Sequence, residues 1–156
     1  MTEIYLCDGD VHERLDGILK SKLKSPFEIR KTPLGKPYIG GNPFYFSLSH
    51  SYDRSIIAIS DKPCGVDLEV FRGRLRESIL KTFTERERAE IASEREFLLH
   101  WTAREAYVKL YGLSIFKLLR RLEFYGGKLY LDGQIQPVKL REYDFQFGVA
   151  TTCFEE

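Results

Sequence analysis

Asp67 and Glu69 stand two residues apart in the run Gly65-Val66-Asp67-Leu68-Glu69-Val70. On a strand, positions i and i+2 share a face, so both carboxylates project together while Val66, Leu68 and Val70 point the other way. Like charges so placed repel unless a cation lies between them, and Asp-x-Glu is a good grip for a hard ion such as Mg²⁺. The plainer alternative is the solvent-facing acidic side of a half-exposed strand. A second group is Trp101-Thr102-Ala103-Arg104-Glu105-Ala106-Tyr107-Val108-Lys109. On a helix, Trp101, Glu105 and Lys109 fall on one stripe, with Phe97 a turn earlier. That stripe reads either as an exposed Glu105–Lys109 pair or as a third metal carboxylate beside a phosphate-binding lysine. Three carboxylates and a lysine are the groups that metal-assisted phosphoryl transfer uses, provided strand and helix meet, which spacing does not fix. The third group is Ser47-Leu48-Ser49-His50-Ser51. Ser49 and His50 are strand neighbours pointing to opposite faces, and no G-x-S-x-G elbow is present, so a serine hydrolase is set aside. A polar strand end of this kind suits hydrogen bonds to phosphate oxygens.

Those residues need elements to hold them. Residues 11–24 read as a helix, and 26–43, punctuated by Pro26, Pro33, Gly35, Pro37, Gly40, Gly41 and Pro43, as loop with short extended pieces. Residues 44–50, 55–60 and 65–70 read as strands. Thr84 with Glu87, and Ser93 with Glu96, fit capping boxes, so two helices are predicted to start there, the second running to about Tyr111 and stopping at Gly112. Gly126-Gly127 and Asp132-Gly133 read as hairpin turns, and Tyr143 to Phe154 as one long last strand. The class is α+β.

Charge is balanced, with 24 Lys+Arg against 23 Asp+Glu, so no global field recruits nucleic acid or an anionic membrane. Locally, Lys20 to Lys36 carries six basic residues and one acid, a cluster that could hold an anion, whereas the acidic run Thr84 to Glu96 reads as a solvated helix face. Three scattered cysteines (Cys7, Cys64, Cys153) without C-x-x-C spacing argue against a disulfide framework or zinc knuckle and for a reducing cytoplasm. The start of the chain lacks the pattern of a signal peptide, and no stretch is long and apolar enough to span a bilayer.

Taken in order, Ser49-His50-Ser51, Gly65-Val66-Asp67-Leu68-Glu69, Phe83-Thr84-x-x-Glu87 and Trp101-Thr102-x-x-Glu105-Ala106-x-x-Lys109 resemble the successive motifs of the 4′-phosphopantetheinyl transferases, the surfactin-type subfamily above all. Gly35-Lys36-Pro37 and Gly112-Leu113-Ser114 sit where that family has similar residues, so the resemblance covers about half the chain. It implies one domain over residues 1–156, built as a pseudo-dimer of two similar α+β halves at about 1–62 and 63–156. It also implies an enzyme that moves the phosphopantetheine arm of coenzyme A onto a serine of an apo acyl or peptidyl carrier protein. On this reading Asp67, Glu69 and Glu105 hold Mg²⁺, with Mn²⁺ an alternative. Glu105 helps deprotonate the serine and Lys109 neutralises developing phosphate charge. Lys36, Ser49, His50, Arg104 and Lys109 meet the coenzyme, and 3′,5′-ADP leaves. The Lys20–Lys36 run would face the coenzyme's 3′-phosphate or an acidic helix of the carrier. Arg104 replaces the family's usual lysine by a planar fork. Only 34 residues precede Gly35, a shorter leader than in surfactin-type relatives, and Arg14 would stand in for one of the basic contacts. A cytoplasmic monomer without nucleic-acid or membrane partners is expected. The rivals are another Mg²⁺-dependent phosphoryl-transfer enzyme, such as a nuclease, which would want a basic groove, and a degenerate carrier-binding module, which would not need Asp67, Glu105 and Lys109.

Overall fold

The computed structural model describes residues 1–41 and 43–156. In chain order the elements are β1 (Thr2–Asp8), α1 (Val11–Lys22), β2 (Ile29–Lys31), β3 (Pro37–Ile39), β4 (Tyr45–Ser51), β5 (Arg54–Ser60) and β6 (Cys64–Val70). Then come α2 (Glu77–Leu80), α3 (Glu85–Glu90), α4 (Glu94–Tyr111), α5 (Ile115–Leu118), β7 (Leu122–Tyr125), β8 (Lys128–Leu131), β9 (Gln134–Ile135), β10 (Val138–Phe145) and β11 (Gly148–Glu155). This is a mixed α and β architecture.

Two antiparallel three-stranded sheets carry the molecule, one ordered β1-β5-β4 and the other β10-β11-β6. Asp10 caps α1 by accepting from the His12 and Glu13 amides. The buried side chains Val11, Leu15, Ile18 and Leu19 recur at helical spacing and pack with Phe46, Ile57 and Ile59 of the first sheet. The other face of that sheet, with Ile56 and Ala58, meets Val66, Leu68 and Ala150 of the second.

The join between the sheets is made by side chains. The Oγ atoms of Ser47, Ser49 and Ser51 accept hydrogen bonds from the amides of Val66, Leu68 and Val70 at 3.0, 3.2 and 3.1 Å. A constant offset of 19 residues means that β4 and β6 run parallel. The serines thus satisfy the edge amides of β6 that a neighbouring strand would otherwise take.

The 18-residue α4 lies across β6 and β11, and it is buried on most of its circumference for that reason. It ends where Gly112 adopts a left-handed conformation (φ 64°), a conformation that costs glycine nothing. The Thr84–Glu87 capping box forms as the sequence indicates, with Thr84 Oγ1 accepting from the Glu87 amide and the Glu87 carboxylate from the Thr84 amide. Ser93 is the N-cap of α4 as read, but its hydroxyl donates to the Glu96 carboxylate and accepts no helix amide, so the second capping box does not close.

Two readings of the sequence are corrected. The run Tyr143 to Phe154 is two strands, because the chain reverses at Gln146-Phe147 and Gly148 opens β11. The strand β1, paired along its whole length with β5, is an additional element.

Candidate functional site

What brings helix and strand together is Gly65. A Cβ at this position would lie 1.9 Å from the Ala106 carbonyl oxygen and 2.5 Å from the Leu110 amide nitrogen, both backbone atoms of α4. Only glycine lets the helix settle onto the strand here. The acidic face of β6 is therefore covered by α4, not open to solvent as the plainer reading had it. Asp67 is 5% exposed.

Asp67 Oδ1 accepts from Lys109 Nζ at 2.7 Å and from Ser49 Oγ at 3.0 Å. Its Oδ2 is buried and, among the described residues, has no hydrogen-bond partner. Glu105 is half-buried in the same acidic field. Burial first, then the charge of Asp67, pushes its carboxyl up to about 7, against the pull of Lys109 and Arg76. Glu69 has both oxygens engaged. Oε1 accepts from Trp101 Nε1 at 3.1 Å with Arg76 Nη2 at 3.4 Å, while Arg72 Nη2 and Ser51 Oγ each stand 3.5 Å from Oε2. Burial, followed by Asp67, raises its carboxyl too, and the two arginines oppose this.

The stripe Trp101, Glu105, Lys109 thus faces β6 as one surface, each member beside a carboxylate of the strand. Arg76 is a site residue that sequence reasoning missed. It stacks over Trp101 and Phe97, 5.2 and 5.6 Å from the ring centroids, and its only sequence signal is a basic residue shortly after the acidic strand.

The remaining sequence candidates are distributed differently. Lys36 turns inward, donating to the carbonyls of Leu110 at 2.6 Å and Cys64 at 3.2 Å, and burial lowers its pKa. Gly35, Lys36 and Pro37 nevertheless form one wall of a cleft of about 220 Å³, with Lys109 and Leu113 opposite. His50 is exposed on the opposite side of β4 from Ser49, in a hollow with His12 and Tyr52.

Arg104, expected at the coenzyme, is turned away and fully buried. It pairs with Glu87, donates to the carbonyls of His100 (2.8 Å) and Leu122 (3.3 Å), and stacks 4.0 Å from the Phe83 ring centroid. Glu87 is just as buried. Burial alone would raise its carboxyl, but His100, the charge of Arg104 and the Thr84 and Phe124 amides together lower it to about 2. The acidic run that reads as a solvated face thus sends Glu87 into the core.

The Lys20–Lys36 run does not form one patch. Lys20 pairs with Asp16, Lys22 with Glu3 and Arg30 with Glu28. Arg14 lines a crevice with Asp8, Asp10 and Glu13, which offset its charge.

Among the described residues, no three His, Cys, Asp or Glu side chains converge into a ready-made metal cage. Mg²⁺ does not require one, since it is usually held by one or two carboxylates together with substrate phosphates and water. The orphaned Oδ2 of Asp67, a charged acceptor sealed from solvent beside Glu105, fits that kind of partial site.

Carboxyl groups gathered around a fixed lysine, next to an open cleft, define the class of sites suited to chemistry on a phosphate. The chain belongs to the 4′-phosphopantetheinyl transferase superfamily, whose model matches residues 63–146, from the start of β6 into the last hairpin. It is 35% identical over 113 residues to the 4′-phosphopantetheinyl transferase AcpT of Salmonella typhi, covering 65% of this chain and 59% of that protein. It is 27% identical over 141 residues to the 4′-phosphopantetheinyl transferase gsp of Aneurinibacillus migulanus, covering 80% and 56%. With a 4′-phosphopantetheinyl transferase of Bacillus subtilis the figures are 26% over 125 residues, 70% and 54%. The chain spans about half the length of the curated relatives it matches. Among the described residues, no helix is long and apolar enough to cross a membrane.

Proposed function

We propose that the chain transfers the 4′-phosphopantetheine group of coenzyme A to a serine of an apo acyl or peptidyl carrier protein in a Mg²⁺-dependent reaction that releases 3′,5′-ADP. The observation that carries this reading is Asp67. One of its oxygens is locked by Lys109 and Ser49 and the other is left orphaned beside Glu105. Membership of the superfamily and the names of the relatives support the same reaction.

Asp67 and Glu105 would hold the divalent ion, with Glu69 alongside, its position fixed by Trp101 and Arg76. When bound, the ion supplies Lewis-acid neutralisation of the coenzyme's pyrophosphate. The cleft between Gly35-Lys36-Pro37 and Lys109-Leu113 would take part of the coenzyme, and Lys109 in its wall supports putting the pyrophosphate at that end. The carrier serine attacks the β-phosphorus. The bond from that phosphorus to the bridging oxygen breaks, and its electron pair leaves with 3′,5′-ADP. Glu105 takes the serine proton, directly or through a water. Lys109 offsets the charge that grows on the phosphate oxygens. His50, exposed in its own hollow by the start of α1, is proposed as a further coenzyme contact. Ser49, expected there too, is buried with its proton given to Asp67 and its oxygen accepting from the Leu68 amide, so it acts through Asp67 and does not meet the coenzyme.

The mirrored sheet orders β1-β5-β4 and β6-β11-β10 support reading the single domain as two similar halves, 1–62 and 63–156, acting as a monomeric pseudo-dimer. Free thiols at Cys7, Cys64 and Cys153 suit a cytoplasmic setting.

The test is to incubate the protein with coenzyme A, Mg²⁺ and an apo carrier, and to read the carrier's intact mass and the 3′,5′-ADP released. A gain of one phosphopantetheine, matched by equimolar 3′,5′-ADP and abolished by chelator, is expected. No gain on carriers from fatty-acid, polyketide and peptide synthesis overturns the reading.

A further inference from the structure

The three serines of β4 make the same bond to three successive outward amides of β6, but they stand beside different side chains. Ser47 is bonded to Val66, next to Gly65, which has no side chain. Ser49 is bonded to Leu68, next to Asp67, and its hydroxyl proton goes to Asp67 Oδ1 at 3.0 Å. Ser51 is bonded to Val70, next to Glu69, whose Oε2 lies 3.5 Å from its Oγ. Each hydroxyl accepts one bond through a lone pair and has a single proton to give. At Ser49 that proton is spent on a carboxylate that is 5% exposed, so the Asp67 rotamer is held from one side by Ser49 and from the other by Lys109. With Oδ1 doubly held, the free oxygen Oδ2 is the one left to face a ligand.

We propose that Ser49 is a positioning residue that orients Asp67 for metal, built into the seam between the two sheets. This rests on the reading of Asp67 as a metal carboxylate. The seam has two jobs. All three serines close the edge of β6, and Ser49 alone also presents the buried carboxylate in one fixed orientation with one oxygen free. The motif Ser-x-Ser-x-Ser facing Gly-x-Asp-x-Glu contains its own control, because Ser47→Ala removes the amide contact without touching a carboxylate.

The experiment titrates Mn²⁺ alone into wild type, Ser47→Ala, Ser49→Ala and Ser49→Thr, counting free Mn²⁺ by its electron paramagnetic resonance signal. Thermal midpoints are recorded for each, and the metal dependence of carrier modification is measured in parallel. Loss of a residue that orients a metal ligand typically lowers metal affinity roughly 10- to 100-fold. A loss of that size is expected for Ser49→Ala, with near wild-type affinity in Ser47→Ala despite a similar drop in thermal midpoint. Ser49→Thr, which keeps the hydroxyl, restores binding. In turnover, the Mg²⁺ requirement of Ser49→Ala rises while the coenzyme A KM at saturating Mg²⁺ holds. If Ser49→Ala does not fold, Ser49→Cys against Ser47→Cys makes the same comparison. Equal Mn²⁺ affinity in the two serine variants overturns the positioning role while leaving the metal site standing. A wild type that binds no Mn²⁺ overturns the metal reading of Asp67 and this proposal with it.

Discussion

Replacing Gly65 by alanine isolates the close approach on which the site depends. The added methyl carbon would sit 1.9 Å from the Ala106 carbonyl oxygen, about 1.5 Å inside the distance at which ordinary van der Waals contact begins. The obstruction is backbone on the facing side, so no rotamer change relieves it, and α4 must retreat or tilt. Overpacking of this kind costs about 1–3 kcal/mol. The same retreat carries Glu105 and Lys109 away from Asp67, opening the 2.7 Å Lys109–Asp67 contact. A displacement of about 1 Å in a reacting constellation can cost roughly 100-fold in rate. Gly65→Ala should therefore fold with a lowered thermal midpoint and modify carrier protein roughly 100-fold more slowly. Gly17→Ala is the counterpart. It lies inside α1 with nothing among the described residues within 4 Å of the added methyl, and should stabilise by about 0.5–1 kcal/mol without changing turnover. The assay is carrier mass against time, with thermal denaturation of each variant. Wild-type stability and rate in Gly65→Ala would refute the reasoning.

Three further outcomes follow from the buried charges. The Glu87 carboxyl is held at about 2 against an ordinary 4.5, so the folded state binds fewer protons than the unfolded one between those values. Its contribution, about 3 kcal/mol, is present above pH 4.5 and is lost as pH falls toward 2. Urea denaturation across that range should show wild type losing stability more steeply than Glu87→Gln, and parallel curves would contradict this. Arg104→Lys keeps the charge but not the fork that reaches Glu87, His100 and Leu122. It should cost about 1–3 kcal/mol with the coenzyme A KM unchanged, and a raised KM at wild-type stability would return Arg104 to the coenzyme. Glu105 titrates the other way, its carboxyl raised to about 7 from 4.5, so the metal-free protein loses stability as pH rises through that interval. Because a metal needs the ionised carboxylate, Mg²⁺ should raise the thermal midpoint more at about pH 8 than at about pH 6. An equal shift at both would speak against Glu105 as a ligand.

Much of this site is written in local pattern. The period-2 run of β6 places Asp67 and Glu69 together, the 3.6-residue spacing of α4 aligns Trp101, Glu105 and Lys109, and the Thr84–Glu87 box marks its helix start. What spacing cannot carry is which faces meet. Gly65 is the residue that decides the docking of helix on strand, and in the sequence it looks like any glycine opening a strand. The serines read as phosphate donors because a hydroxyl accepting from a strand edge leaves the same sequence signature. Arg104 and Glu87 are 17 positions apart, Glu87 in an acidic run that reads as a solvated helix face and Arg104 in a motif that reads as facing the coenzyme, so their burial as a pair was hidden. The last hairpin lacked a turn signal, since Gln146-Phe147 is not turn chemistry and the apolar alternation runs straight through it.

The measurement that bears most directly on the account follows the intact mass of an apo carrier with coenzyme A and Mg²⁺, using wild type, Asp67→Asn and Lys109→Ala side by side. Both variants are checked for wild-type circular dichroism. The account predicts full conversion to the phosphopantetheinylated carrier by wild type, none by Asp67→Asn, and slowed conversion by Lys109→Ala. Conversion by Asp67→Asn at the wild-type rate would contradict it.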